Sequence, residues 1–138
     1  MEIMILAPVT GILVLAYVGL SVRISLLRRK AHAPLGDVAD DTFQRAVRAQ
    51  ANFGEYTPLA LLLLWVFAIL HFSMLFINIL SLMLLIGRAC HAYSLLIDEP
   101  KHGRFRFRMA GMGLTLSVLG VSGLIYIVAW IQAVIAGQ

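Results

Sequence analysis

Residues 43–70 read FQRAVRAQANFGEYTPLALLLLWVFAIL. Arg45, Arg48, Asn52 and Glu55 recur at intervals of three, four and three, so a helix sets all four on one face. The same helix then runs unbroken into the apolar stretch Leu59 to Leu70. Seven residues at the helical rise lift Glu55 about 10 Å above Arg48, to a depth that belongs to lipid. Hydrocarbon offers an ionisable side chain no hydrogen-bonding partner, so a carboxylate there marks a functional site.

The rest of the chain has the same character. With 61% hydrophobic residues, 13% charged residues and a mean hydropathy of +0.91, it is an integral membrane protein. Four segments have spanning length, with helices expected near 3–27, 43–70, 74–97 and 105–136. Residues 1–138 then form one all-α membrane domain of four helices and three short connections. The period-two alternation of a membrane β-barrel is missing.

Charge placement gives an orientation. The net charge of +4 comes from eleven Lys and Arg, and all eleven flank the first and third connections. The second connection, around His71 to Ser73, carries no charge, and the two ends of the chain carry only Glu2. The positive-inside rule then sets the first and third connections in the cytoplasm and both termini outside. Anionic headgroups account for these cations more simply than nucleic acid does.

Smaller signals fill in the frame. The apolar start lacks a basic n-region and is too long for a signal peptide, which makes it an uncleaved first helix. Pro34, Gly36 and Asp37 mark a turn, and Asp41 with Gln44 forms a loose capping box that starts helix 2 near Thr42. Pro58 removes one donor inside that helix and crowds the carbonyl of Gly54; it is either a tolerated membrane-helix proline or a carbonyl freed for a ligand. In helix 4, Gly113, Ser117 and Gly120, with Gly111 and Gly123 nearby, form a small-residue row for packing within the bundle or between protomers. Tyr17, Trp65, Tyr126 and Trp130 serve as interfacial anchors or packing residues. Cys90, the lone cysteine, excludes a disulfide framework and a thiol-based metal site, and is expected as a small buried packing residue.

The polar face of helix 2 suits a small peptide with free ends. Arginine matches carboxylates, Asn and Gln match amides, and Glu55 is a natural partner for an α-amino group. Arg48, Gln50, Asn52, Glu55 and Tyr56 make up this set. In helix 3, Arg88 and His91 share a face, with Tyr93 close by. Arg104, Arg106 and Arg108 alternate with Phe105 and Phe107 at the entry to helix 4. The plainer alternative treats Arg45, Arg104 and Arg106 as headgroup residues and lets Arg48 and Glu55 neutralise each other. That pair needs two residues, whereas the chain supplies at least five polar groups at one depth.

These residues resemble a known family. FQRAVRAQANFGEYTPLALLLL, GRACHAY in the next helix and RFRFRMAG at the entry to helix 4 are together similar to the MAPEG proteins, membrane-associated proteins in eicosanoid and glutathione metabolism. The nearest likeness is to the small bacterial members, through the PLGD-type first connection. The resemblance implies a left-handed up-down bundle assembled as a homotrimer, with glutathione held between protomers near the cytoplasmic helix ends. It also implies a bacterial inner membrane with the site facing the cytoplasm. Arg48, Gln50, Asn52, Glu55 and Tyr56 match the family's glutathione-binding positions, and Arg88 and His91 match its R-x-x-H, with Tyr93 beside them. The family's thiol-activating arginine falls at Arg104 or Arg108, between which spacing does not choose. Two positions depart from the pattern: Leu95 replaces a tyrosine one turn after the histidine, and Gln44 replaces an acidic residue before the first arginine of helix 2.

The implied chemistry is that of a glutathione transferase or peroxidase, with a role in detoxification. The glutathione thiolate, favoured by a nearby guanidinium, attacks a lipophilic electrophile or hydroperoxide arriving from the lipid bilayer. Glutathione is the cosubstrate, and no metal is called for. Two other classes compete with this expectation. One is a non-enzymatic lipid-binding or scaffolding member of the same family. The other is a small four-helix transporter with Glu55 as its essential carboxylate, against which stands the recognition set surrounding Glu55.

Overall fold

The computed structural model describes residues 5–32 and 39–137. Four long helices account for most of them, and no strand occurs among the described residues. They are α1 (Leu6–Lys30), α2 (Asp41–Ile69), α3 (Met74–His102) and α4 (Arg106–Ile135), each long and apolar enough to cross a membrane. The chain is thus a multi-pass integral membrane protein. The turn expected at Pro34, Gly36 and Asp37 lies outside the described residues.

Helix α2 starts one residue earlier than the capping pattern suggests. Asp40, in extended conformation, caps it by accepting a 2.8 Å hydrogen bond from the Phe43 backbone N–H. Either of two adjacent aspartates can cap a helix, and only the backbone angles decide which one does. The helix continues through Pro58 to Ile69. A tight turn follows, with His71 at φ 57°, where the Phe72 N–H returns to the Phe67 carbonyl at 3.0 Å.

Helices α2 and α3 pack together at the centre. Helix α1 contacts both from one side and α4 contacts both from the other, while α1 and α4 do not touch. Helix α2 buries Ala46, Ala49, Phe53, Thr57, Ala60, Leu64 and Phe67, a row at intervals of three and four. Arg48, Asn52 and Glu55 lie on the stripe beside that row, so the packing that buries the row presents them at its edge.

Small residues set the α3–α4 contact, though not those of the expected row. A Cβ at Gly111 would come within 2.5 Å of the Gly87 carbonyl oxygen, whereas one at Gly113, Gly120 or Gly123 would meet nothing within 4 Å. The buried row of α4 is Gly111, Thr115, Val118 and Ser122, and the Gly113–Ser117–Gly120 row faces away from the bundle's core. Cys90 is half-buried rather than fully enclosed.

The end of the bundle near His71 is held by aromatic rings. Phe67 stacks on Tyr126 at 4.6 Å with 9° between planes, and Phe72 and Phe76 complete the cluster. The Tyr126 hydroxyl donates to the Leu63 carbonyl at 2.7 Å. Trp65 Nε1 donates to Thr10 Oγ1, tying α2 to α1, while Trp130 stays exposed on the outer face.

Helix α3 changes geometry before it ends. Ser94–Asp98 form a π-helical turn, and one α-helical turn, Glu99–His102, closes the helix at Gly103. Pro100 lacks the N–H that an α-helix would return to Leu96, and its ring would crowd that carbonyl. The wider turn relieves the conflict. Gly103, at φ 63°, adopts the left-handed conformation that ends helices with little strain in glycine.

Candidate functional site

A cavity of about 370 Å³ opens between α2, α3 and α4 near the basic end of the bundle. Its lining brings together Arg48, Asn52 and Glu55 from α2, His91 and Leu95 from α3, and Arg108 and Met112 from α4. Neither Arg48 nor Glu55 has an ion-pair partner among the described residues. They do not neutralise each other, and both charges remain available to a ligand.

Behind the cavity, Arg88 joins three helices. It is 1% exposed; its Nε donates to Thr115 Oγ1 on α4 and its Nη1 to Asn52 Oδ1 on α2, both at 2.9 Å. The guanidinium lies 5.9 Å from the centre of the Tyr56 ring, and Nη2 has no hydrogen-bond partner. The bond to Thr115 depends on the glycine contact, because a Cβ at Gly87 would press on both the Gly111 carbonyl and Thr115 Oγ1. Asn52 spends its side-chain carbonyl on Arg88, which leaves its NH₂ group as the donor for other partners.

The π-helical turn builds the second anchor. Its i to i+5 spacing brings Ser94 and Glu99 together, and the Ser94 hydroxyl donates to Glu99 Oε1 at 3.1 Å. The other oxygen, Oε2, accepts from Arg108 Nη1 at 3.2 Å and lies 3.8 Å from Arg45 Nη1. One buried carboxylate thus links α2 to α4 and restrains the arginine that lines the cavity. Next to it, Asp98 Oδ1 meets His102 Nδ1 at 3.0 Å, while the buried Oδ2 is without a partner.

A family model for the MAPEG family matches residues 6–134, nearly the whole chain. The chain belongs to the MAPEG family. Among curated proteins, none matches it. Members of this family use glutathione; they include transferases and peroxidases, and some are not enzymes.

In this MAPEG chain, the anticipated residues fall into two groups. Arg48, Asn52, Glu55 and His91 line the cavity, with Arg88 and Tyr56 directly behind it. Of the two candidate arginines at the entry to α4, Arg108 is in the lining, and Arg104 is exposed in the connection outside it. Gln50 points the other way, toward α1, and donates to the Tyr17 hydroxyl at 2.9 Å. Tyr93 packs edge-on against Phe107 at 5.7 Å and is half exposed, outside the lining. Leu95, which the resemblance sets where a tyrosine is common, is part of the cavity lining.

Glu99, Asp98, Ser94 and Thr115 were not among the anticipated residues. The signal for the acids was present: Asp98 and Glu99 adjoin an apolar helix in a chain with only seven acidic residues.

Proposed function

We propose that this MAPEG protein is an integral membrane glutathione transferase or peroxidase. The observation that supports it best is the cavity in which Arg48 and Glu55 stand unpaired on either side of Asn52. Arg48 would take a carboxylate of glutathione, Glu55 the α-amino group, and the Asn52 NH₂ group a peptide carbonyl. Arg88 fixes the Asn52 rotamer, and so acts on the ligand through Asn52.

Arg108 is the candidate for thiol activation. A thiol of pKa ~8.5 is mostly protonated at neutral pH, and a guanidinium beside the sulfur favours the anion. In conjugation the thiolate forms a carbon–sulfur bond as the leaving group departs with its electron pair. In peroxide reduction the thiolate attacks the terminal oxygen, the O–O bond breaks, and the alkoxide takes a proton to become an alcohol. The resulting sulfenic acid condenses with a second glutathione to give the disulfide and water. Leu95 and Met112 supply an apolar wall for a lipophilic partner.

A homotrimer accounts for Gln50. It lies on the α1 side of α2 and in such an assembly would serve the cavity of a neighbouring protomer. With loops one and three cytoplasmic, as the charge placement suggests, the site opens where glutathione is abundant. A cysteine introduced at His102 should then react with an impermeant label from the cytoplasmic side, and one at Ser73 from outside. Reversed labelling would overturn the orientation.

The test of function is turnover by the purified protein with glutathione and either a halo-nitrobenzene or a lipid hydroperoxide. Saturable turnover that is lost in Arg48→Ala is expected. Leu95 in place of the family tyrosine favours a second reading, a non-enzymatic lipid-binding or scaffolding member. Glutathione bound without any thiolate near neutral pH would support that alternative.

A further inference from the structure

On the opposite side of the central helix pair, α1 and α3 leave a groove of about 370 Å³. Ala16 and Gly19 on one wall and Ala89 and Ala92 on the other keep it open, and Phe53 of α2 contributes to its lining. At its basic end it meets a second cavity of about 330 Å³, because Arg23 and Leu96 line both. This second space is polar, with Asp41, Thr42 and Arg45 of α2 facing it. The two together form one elongated site, apolar along the bundle and charged at the membrane surface.

The positive charges in this site are only partly matched by protein groups. Arg23 makes no ion pair among the described residues, and Arg45 forms only a 3.8 Å ion pair with Glu99, a carboxylate it shares with Arg108. Arg88 also lines the apolar groove, is 1% exposed, and has one terminal nitrogen without a partner. Asp41 is the one carboxylate in the lining. The balance is positive, but Asp41 sets a limit, since a doubly charged anion would be repelled by it.

The geometry points to a structural phospholipid site on this protein: one acyl chain lies in the α1–α3 groove, and a singly charged phosphodiester headgroup sits between Arg23 and Arg45. Apolar packing alone selects no occupant, because hydrocarbon solvates such a groove anywhere in a bilayer. Selection comes from the head. Two guanidiniums on different helices can each present paired donors to phosphate oxygens, and basic pockets between helices near a membrane surface favour anionic headgroups. The ligand class is therefore an anionic glycerophospholipid such as phosphatidylglycerol.

Native mass spectrometry of the full-length protein in detergent, with phosphatidylglycerol or phosphatidylcholine of matched chains added, tests both halves of the site. Phosphatidylglycerol should be retained at least ten-fold better than phosphatidylcholine. Arg23→Ala should abolish that preference. Gly19→Leu should lower retention of both lipids ten-fold by filling the groove. A Cβ at Gly19 meets nothing within 4 Å, and leucine is the better helix former, so this variant should fold. Circular dichroism checks that it does. Equal retention by the wild type and both variants would mean an unselective lipid belt and would overturn the proposal. An effect of Arg23→Ala with none from Gly19→Leu would overturn the acyl-chain half, leaving only a surface contact with headgroups.

Discussion

The two ends of the bundle are built on different principles. Near His71, aromatic rings stack and the polar groups they carry are bonded: Tyr126 donates to the Leu63 carbonyl and Trp65 to Thr10. At the basic end α2, α3 and α4 are joined through charged groups, Arg88 and Glu99, and several charges stay unmatched. The buried hydroxyl of Ser122 on α4 is unbonded, but the unbonded buried groups of the basic half include a guanidinium nitrogen of Arg88 and a carboxylate oxygen of Asp98. An unpaired hydroxyl is cheap beside an unpaired charge. A fold that tolerates the dearer defect at one end only has that end available for ligands, and holds its shape from the other.

The sharpest way to break this contrast is to remove the unpaired charges of the cavity. Arg48→Ala or Glu55→Ala should weaken glutathione by about 2–5 kcal/mol, as truncating one member of a desolvated charge pair does. Thermal stability should hardly move, since neither side chain has an ion-pair partner to lose. Isothermal titration and thermal unfolding of the same samples read both quantities. Unchanged affinity in both variants would make the cavity structural.

A second comparison lies within the basic end, between two arginines four residues apart. Arg108→Ala should raise the apparent thiol pKa of bound glutathione by about one to three pH units, and Arg104→Ala should leave it in place. Affinity should change little in either variant, because an arginine at the sulfur acts mainly on the anion. Ultraviolet titration of the bound thiolate measures the shift. A shift in Arg104→Ala alone would move the activating role out of the cavity.

Glu99 separates anchoring from catalysis. Its carboxylate is 3% exposed and meets Arg108 and Ser94, so Glu99→Ala should destabilise the protein by about 1.5–3 kcal/mol, the range for hydrogen bonds to a charged group. The arginine ends are 34% and 42% exposed, and solvent screening keeps the cost below that of a fully buried pair. Glu99→Gln should recover part of the stability through Ser94. In both variants kcat should fall more than affinity, since Arg108 loses its restraint while Arg48 and Glu55, which make no ion pair, lose none. Equal losses in kcat and affinity would mean general loosening of the site.

How much of this was legible before folding depends on the kind of signal. The four spans and the Arg48–Asn52–Glu55 face follow from hydropathy and helical spacing, which act within one continuous element. Arg104 and Arg108 were indistinguishable because the π-helical turn and the left-handed Gly103 reset the register between α3 and α4. Spacing does not carry through such a break. The packing face of α4 was ambiguous for another reason: Gly113–Ser117–Gly120 and Gly111–Thr115–Val118 are both small-residue rows at helical intervals. Only the position of Gly87 on the facing helix picks the second. Glu99 requires both facts at once, a widened turn and a neighbouring helix, and periodicity reports neither.

The smallest effect is expected at the aromatic end, and it is the control for all the others. Tyr126→Phe keeps the ring stacked on Phe67 and removes only the 2.7 Å bond to the Leu63 carbonyl. Stability should fall by about 0.5–1.5 kcal/mol, the net worth of one neutral hydrogen bond. Glutathione affinity and the thiol titration should be unchanged, because no residue lining the cavity touches this cluster. A loss of glutathione binding comparable to that of Arg48→Ala would show that the two ends are coupled through the α2–α3 pair. The division into an aromatic end and a charged end would then have to give way to a single cooperative unit, in which loosening any helix contact loosens the site.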